Sequence, residues 1–140
     1  ALMGNYTVFE NVELPLISKG VSAKNRRQIV NEQLKLMGID ELAKKYPAKI
    51  SGGQQQRCAI ARALASGNKL ILADEPTGNL DPETAWEIMS LLEDINKRGT
   101  TVVVATHAKD IVDKMKKRVI HIRKGEIIRD DKKGGYDCEI

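Results

Sequence analysis

Two adjacent acidic residues that follow a short apolar run are the residues of this sequence best suited to chemistry. The run Leu70–Ala73 shows no polar alternation, which is expected of a strand buried on both faces of a parallel sheet, and Asp74 and Glu75 follow it directly. Ligands of such sheets bind beyond the carboxyl ends of the strands. Asp74 could therefore bind the Mg²⁺ of a nucleotide phosphate, and Glu75 could activate a water for in-line attack on the γ-phosphate. Taken alone, the pair could equally be two acids that end a strand at the surface.

A glycine pair at the start of a predicted helix is a second candidate. Ser51, Gly52, Gly53 and Gln54 would supply a hydroxyl, backbone amides that no side chain shields, and the positive end of a helix. All three features suit a phosphate oxygen. The alternative is a simple N-cap with a flexible entry to the helix.

His107 is a third candidate, because it follows a second apolar run, Thr101–Thr106. If that run is a strand parallel to the first, His107 lies at the same sheet edge as Asp74 and Glu75 and within reach of the same phosphate. The alternative for a lone histidine at this position is a structural role.

A strand-helix-strand unit would position these residues. The two apolar runs are its strands, and the connecting helix begins at Asp81-Pro82 and ends before Gly99. The predicted fold class is therefore α/β, with Ile71 and Val103 both out of solvent. Four apolar residues should share the buried face of the helix: Ala85, Ile88, Leu92 and Ile95.

Helices are expected before this unit and a hairpin after it. The N-terminal expectations are a turn or short helix over Thr7–Leu16 broken by Pro15, a helix from Ser22 to about Met37 stopped by Gly38, a shorter helix from Asp40 to near Tyr46, and a helix over Gln54–Ala65 that buries Cys58. The C-terminal expectations are a short helix carrying Ile111, Val112 and Met115, a hairpin of Val119–Ile122 and Glu126–Arg129, and a loose tail over 130–140. We interpret these as three segments, residues 1–50, 51–129 and 130–140.

Composition excludes several classes of protein. Of the 140 residues 41% are hydrophobic and 30% are charged, which is typical of a globular domain, and neither a membrane-spanning run nor a signal peptide is visible, so we expect a cytosolic chain. Cys58 and Cys138 are too far apart for a metal site and are interpreted as reduced thiols. The net charge is +4, but the basic residues are interleaved with acidic ones and aromatic residues are few. We therefore expect no nucleic-acid partner.

The order of four motifs resembles that of the ABC (ATP-binding cassette) ATPase family. Ser51–Gln54 resembles its signature motif, Asp74 and Glu75 the end of its Walker B motif, Asn79–Asp81 its D-loop, and His107 its switch histidine. Ile50 and Ala108 are small departures from the family pattern. The resemblance extends over residues 7–129 and implies part of a P-loop NTPase fold with parallel core strands, a helical subdomain and a C-terminal β-hairpin.

The resemblance also implies roles and cofactors. ATP and Mg²⁺ would be the cofactors, Glu75 and His107 the catalytic residues, and Asp74 the metal ligand. Ser51, Gly52, Gly53, Gln54 and Asp81 would bind nucleotide in a head-to-tail dimer with a second ATPase protomer. The sequence contains no Gly-x-x-x-x-Gly-Lys-Ser/Thr loop, so we expect the 140 residues alone to be inactive, to bind nucleotide weakly and to self-associate. The alternative is a non-catalytic interaction module derived from such an ATPase.

Within the family, Thr7–Leu16 and Pro76–Asp81 resemble the branch that contains the cell-division ATPase FtsE and the lipoprotein- and macrolide-export ATPases, with FtsE favoured by the C-terminal residues. This resemblance implies an integral membrane partner such as FtsX, docked on the region Ser22–Tyr46. It also implies a cytoplasmic, peripheral location at the inner face of the cell membrane. Related ATPases of nucleic-acid maintenance usually contain long coiled coils, and no heptad run is present.

Overall fold

A computed structural model describes residues 1–136 of the chain, which divides into two compact units, Ala1–Ala105 and Thr106–Ile140. The helices of the first unit are α1 (Val8–Ser18), α2 (Ala23–Leu36), α3 (Gly52–Ala65) and α4 (Pro82–Lys97), with 3-10 turns at Asp40–Leu42 and Pro47–Lys49, and its strands are β1 (Leu70–Asp74) and β2 (Thr101–Ala105). The second unit contains α5 (Lys109–Met115), β3 (Val119–Arg123) and β4 (Glu126–Asp131). No helix of the described residues is long and apolar enough to cross a membrane.

Helices α1, α2 and α3 pack against one another and form the larger core of the first unit. Their fully or almost fully buried side chains are Val8, Val12, Leu16, Val30, Leu34, Cys58, Ile60 and Ala61. Burial of each large aliphatic side chain of this kind contributes about 1.5 to 3 kcal/mol, so this layer holds α3, and with it the candidate signature residues, in place. The prediction that Cys58 is buried is confirmed.

Helix α1 corrects the expectation of a turn or short helix broken by Pro15. It runs for 11 residues with Pro15 inside it, and Val8, Val12 and Leu16 bury one face at four-residue spacing. A capping box starts it, because Thr7 Oγ1 accepts from the Glu10 N–H and Glu10 Oε1 accepts from the Thr7 N–H, each over 3.2 Å. Proline removes a single helical hydrogen bond here, and the packed apolar face outweighs that loss.

The segment after α2 also differs from the prediction. Ser22 caps α2 as predicted, and Gly38 follows the helix with a φ of +69°. The helix expected from Asp40 to near Tyr46 is absent. One 3-10 turn spans Asp40–Leu42, and a second follows at Pro47–Lys49. The carbonyl oxygens of Ala43 and Lys45 accept from the first N–H groups of α1, at Phe9 and Val8, so they are not used in a helix of their own.

Strands β1 and β2 pair in parallel, with Asp74 opposite Ala105, and the strand-helix-strand prediction is confirmed. Asp81 caps α4, Pro82 occupies its first turn, and the four residues predicted for its inner face are buried. The prediction that the sheet is buried on both faces is wrong. Ile71 is 6% exposed, but its neighbours on the other face are open to solvent, Leu72 at 74% and Val103 at 50%. Helix α4 packs on one face of the pair, and an apolar run without alternation does not reveal that only one face is covered.

The second unit contains the predicted short helix and hairpin. Strands β3 and β4 pair in antiparallel register with an irregularity between His121 and Ile122. The prediction of a loose tail is wrong over 130–136. Residues Asp130 and Asp131 belong to β4, the Gly134 N–H donates to the Lys117 carbonyl oxygen over 3.1 Å, and the Tyr136 N–H donates to Asp113 Oδ1 over 2.6 Å. The rest of the predicted tail, including Cys138, lies outside the described residues.

Candidate functional site

The Ser51-Gly52-Gly53-Gln54 segment forms the first turn of α3. Ser51 is the N-cap, its Oγ accepts from the Gln54 N–H over 3.2 Å, and Gln54 Oε1 accepts from the Ser51 N–H over 2.8 Å. Ser51 and Gly52 are exposed. The cap uses the Ser51 oxygen as an acceptor, so the hydroxyl proton can still be donated to a ligand. The predicted N-cap and the predicted phosphate-binding geometry are thus compatible at the same residue.

Both glycines of this turn are packed against the segment that contains Asp81. A Cβ added to Gly52 would lie 3.1 Å from Leu80 Cδ2, and a Cβ added to Gly53 would lie 2.5 Å from Thr84 Cγ2. The second distance is shorter than side-chain carbons tolerate, so only glycine fits at position 53 unless the Thr84 side chain moves. The structure therefore brings the candidate signature residues and the candidate D-loop together, although the sequence separates Gly53 from Thr84 by a strand and a turn.

Asp81 is held by the first turn of its own helix. Its carboxylate accepts from the Thr84 N–H over 3.1 Å and from the Thr84 hydroxyl over 2.5 Å. These two hydrogen bonds, the hydroxyl one first, hold the pKa of the Asp81 carboxyl below its ordinary value. Asp81 is exposed, and its carboxylate, which is ionised at neutral pH, follows Leu80, the residue that packs on Gly52.

Glu75 begins a tight turn beyond β1. Its N–H donates to the Ala105 carbonyl oxygen over 2.8 Å, and its carbonyl oxygen accepts from the Gly78 N–H over 3.0 Å. Its φ of +46° lies in the left-handed region, where a non-glycine residue costs about 1 kcal/mol or more. Strained backbone of this kind is concentrated at functional sites.

A groove of about 390 Å³ runs between α3 and this turn. Its walls include Gly52, Gln55 and Ala59 of α3 and Glu75, Gly78 and Leu80 of the turn. Gln55 is not among the predicted site residues. Its side-chain amide donates to the Pro47 carbonyl oxygen over 2.9 Å and so fixes the loop that precedes the candidate signature residues. Thr84 was also missed, although a threonine three residues after an Asp N-cap is a recognisable first-turn pattern.

The exposed carboxylate of Asp74 is the one predicted metal ligand. Within residues 1–136, no three His, Cys, Asp or Glu side chains are grouped to hold a metal ion. This donor set does not fit a metal caged by protein alone. It fits Mg²⁺ bound through one carboxylate, water and the oxygens of a nucleotide phosphate, which is the usual environment of that ion.

His107 belongs to the second unit, and its side chain is exposed. The neighbouring Ala108 N–H donates to Thr106 Oγ1 over 3.0 Å, which shapes the entry to α5. The predicted approach of His107 to Asp74 and Glu75 joins residues of different units and stays a prediction. The roles predicted for Ser51, Gly53, Asp74, Glu75 and Asp81 are likewise predictions, now with a defined local geometry.

Comparisons with known proteins agree with the resemblance to the ABC ATPase family. The family model described as "ABC transporter" matches residues 1–78. The chain is 50% identical over 135 residues to the cell division ATP-binding protein FtsE of Bacillus subtilis, covering 96% of the chain and 59% of that protein. It is 44% identical over 128 residues to the macrolide export ATP-binding/permease protein MacB of Escherichia coli K12, covering 91% of the chain and 20% of that protein.

A solved structure shows the same fold. The dimeric, post-hydrolysis state of the ATP-binding cassette MJ0796 bound to ADP and Pi superposes with a TM-score of 0.78 at 44% sequence identity, covering 96% of this chain and 60% of that one. The chain thus spans about three fifths of the length of the FtsE and cassette relatives. The predicted α/β nucleotide-binding fold is confirmed by this match.

Proposed function

The chain belongs to the ABC transporter family, and from that membership we propose that the full-length protein that contains it hydrolyses ATP as a subunit of an FtsE-like membrane complex. One observation carries the proposal. The glycine turn at Ser51 and the acidic turn at Asp81 are packed directly on each other at Gly53 and Thr84. Two motifs that the chain separates by 30 positions therefore form one continuous surface, on which a nucleotide phosphate can be bound and its hydrolysis sensed.

The α3 turn is suited to the γ-phosphate. The first N–H groups of a helix have no acceptor within the helix, and the helix dipole adds positive potential at the same end. Gly52 exposes its N–H without a side chain in front of it, and the Ser51 hydroxyl can donate beside it. By family resemblance, this turn binds the nucleotide held by a second protomer, in a head-to-tail dimer. The dimeric state of the relative bound to ADP and Pi supports this arrangement.

The turn after β1 is suited to the chemical step. Glu75 would accept a proton from the attacking water, because its backbone is fixed by the bond to Ala105 and its side chain lines the groove beside α3. Mg²⁺, when bound with ATP, would neutralise charge on the phosphate oxygens, and Asp74 would hold it through its carboxylate or a water. His107 would contact the γ-phosphate from the end of β2. Asp81, oriented by its two hydrogen bonds from Thr84, would lie at the contact between the protomers.

The membrane partner is assigned to the helical layer. Helix α2 carries exposed Lys24, Asn25 and Arg27 on its outer side, while Val30 and Leu34 are buried against the rest of the layer. We place the docking surface for an integral membrane partner such as FtsX on Ser22–Tyr46. The protein would then be cytoplasmic and peripheral at the inner face of the cell membrane. The 50% identity to FtsE supports this assignment over the export branch.

The proposal is tested by ATP hydrolysis of the purified full-length protein. Ser51→Ala removes the hydroxyl that would donate to the phosphate, and Ser66→Ala makes the same change at the opposite end of α3, where the hydroxyl donates only to the Arg62 carbonyl oxygen. We expect Ser51→Ala to lower turnover and Ser66→Ala to leave it unchanged. The rate per subunit should also rise with protein concentration, because each site needs two protomers. A full-length protein that bound its membrane partner but hydrolysed no ATP would support the non-catalytic interaction module instead.

A further inference from the structure

Thr84 contacts the two motifs of the candidate site with two different atoms. Its hydroxyl donates to Asp81 Oδ1, and its methyl group occupies the space in which residue 53 would place a side chain, 2.5 Å from an ideal Cβ on Gly53. The Thr84 N–H adds a second hydrogen bond to Asp81.

A single torsion angle controls both contacts. The hydroxyl and the methyl of threonine branch from the same carbon atom, so rotation about χ1 moves them together. If the methyl moves away from Gly53, the hydroxyl leaves Asp81. Conversely, displacement of the Gly53 backbone towards α4 would push on the methyl and rotate the hydroxyl away from the carboxylate. The position of Asp81 thus depends on the position of the first turn of α3.

We propose that Thr84 is a positioning residue that couples the Ser51-Gly52-Gly53 turn to Asp81, so that phosphate binding at the turn changes the placement of the Asp81 carboxylate. The inference rests on the proposed ATPase function, because that function supplies the phosphate whose binding would move the turn. It differs from an ordinary helix cap in one respect. A cap needs the hydroxyl only, whereas the coupling also needs the methyl group.

The pKa of Asp81, measured by NMR titration of its carboxyl carbon in the full-length protein, tests the coupling without any need for turnover. Thr84→Ser keeps the hydroxyl and removes the methyl, so χ1 is no longer fixed and the pKa should rise towards its ordinary value. Gly53→Ala should raise it as well, because the new methyl displaces that of Thr84. The double variant Gly53→Ala/Thr84→Ser moves one methyl group from residue 84 to residue 53 and should return the pKa most of the way to that of the parent.

The control is Thr101→Ser, which makes the same change at an exposed residue at the far end of β2 and should leave the pKa of Asp81 unchanged. An unchanged pKa in Thr84→Ser would overturn the proposal, since the hydroxyl alone would then explain the cap. A double variant with a pKa no closer to the parent than Gly53→Ala would overturn it too, because the two methyl groups would not share one space.

Hydrolysis by the full-length protein supplies the functional readout. Thr84→Ser should lower kcat about fivefold or more with a nearly unchanged KM for ATP, because the coupling acts after binding. A shifted Asp81 pKa with an unchanged kcat would reduce Thr84 to a packing residue and overturn the proposal. A parent protein that hydrolyses no ATP would instead overturn the proposed function, and the Asp81 titration would still decide whether the two motifs are coupled.

Discussion

The Glu75 N–H donates to the Ala105 carbonyl oxygen over 2.8 Å, so hydrogen bonding between β1 and β2 continues one residue beyond the last residue of β1. The bond fixes the backbone of Glu75 at the point where its φ becomes positive. A side chain on a backbone held in this way keeps its place when its chemistry is altered, which makes conservative substitution of Glu75 informative.

Glu75→Gln in the full-length protein should lower kcat by at least about 100-fold, because glutamine cannot accept the proton of the attacking water. ATP affinity should stay within about twofold of the parent, since no phosphate contact is removed. Dimers that trap ATP should accumulate and can be counted by size-exclusion chromatography with bound nucleotide. The matched control is Glu126→Gln at an exposed residue of β4. Hydrolysis by Glu75→Gln at near the parental rate would show that Glu75 is not the general base.

His107→Ala in the same protein should lower turnover about 100-fold if this side chain contacts the γ-phosphate. The other histidine of the chain provides the comparison. His121 lies in β3, with Nε2 3.3 Å from the Gly135 carbonyl oxygen, and His121→Ala should change stability but not kcat. Equal effects of the two substitutions on kcat would return His107 to a structural role.

Cys58 should make stability fall at high pH. Burial raises the pKa of its thiol from the ordinary 9.0 to about 11, and the nearby Arg62 charge opposes this shift. The folded state holds this proton more tightly than the unfolded state, so the contribution is complete below pH 9 and is lost as the pH rises to about 11. The loss amounts to about 2 to 3 kcal/mol.

Chemical denaturation between pH 8 and 11 measures this effect as the free energy of unfolding. Cys58→Ala, which removes the titrating group, should show a smaller decline over the same range. A second readout is alkylation of the variant Cys138→Ser, in which Cys58 is the only thiol. Native protein should react slowly, and rapid alkylation under native conditions would contradict the burial of Cys58.

The open face of β1 and β2 should promote self-association of the 140-residue chain. Leu72 is 74% exposed beside Val103, and an apolar strand face of this kind favours contact with another copy. Leu72→Lys should shift the chain towards monomer in analytical ultracentrifugation and change stability by no more than about 0.5 kcal/mol. Ile122→Lys alters an equally open strand residue of the second unit and serves as the control, since Ile122 is 69% exposed. Loss of self-association in the control alone would place the contact on the hairpin instead.

Local signals predicted much of the fold and part of the candidate site. Asp81 is predicted as an N-cap, and an N-cap is one of the two interpretations of Ser51, because a cap depends on residues only three positions apart. The two strands are predicted from their apolar runs. The length of helix α1 is underestimated because Pro15 predicts a break, whereas the capping box of Thr7 and Glu10 indicates a helix start.

Other features depend on packing between distant segments and leave no local signal. The exposure of Val103 follows from α4 covering a single face of the sheet, and no property of the run Thr101–Thr106 records that. The close approach of Gly53 to Thr84 is set by how two helices pack, so neither residue predicts it alone. The structure shows that the Thr84 methyl group occupies the space in which residue 53 would place a side chain.

The hydrogen bonds from Val8 and Phe9 to the carbonyl oxygens of Lys45 and Ala43 give α1 an unusual beginning. Helix ends normally fray, and their first amides exchange with solvent within the shortest times of any helical residues. Here the first turn is tied to the loop that leads into α3, so its amides should exchange with deuterium as slowly as those of the helix middle. We therefore expect transient opening of this layer to start at the other end of α1, near Pro15. The loop before the candidate signature residues should stay in place while that end opens.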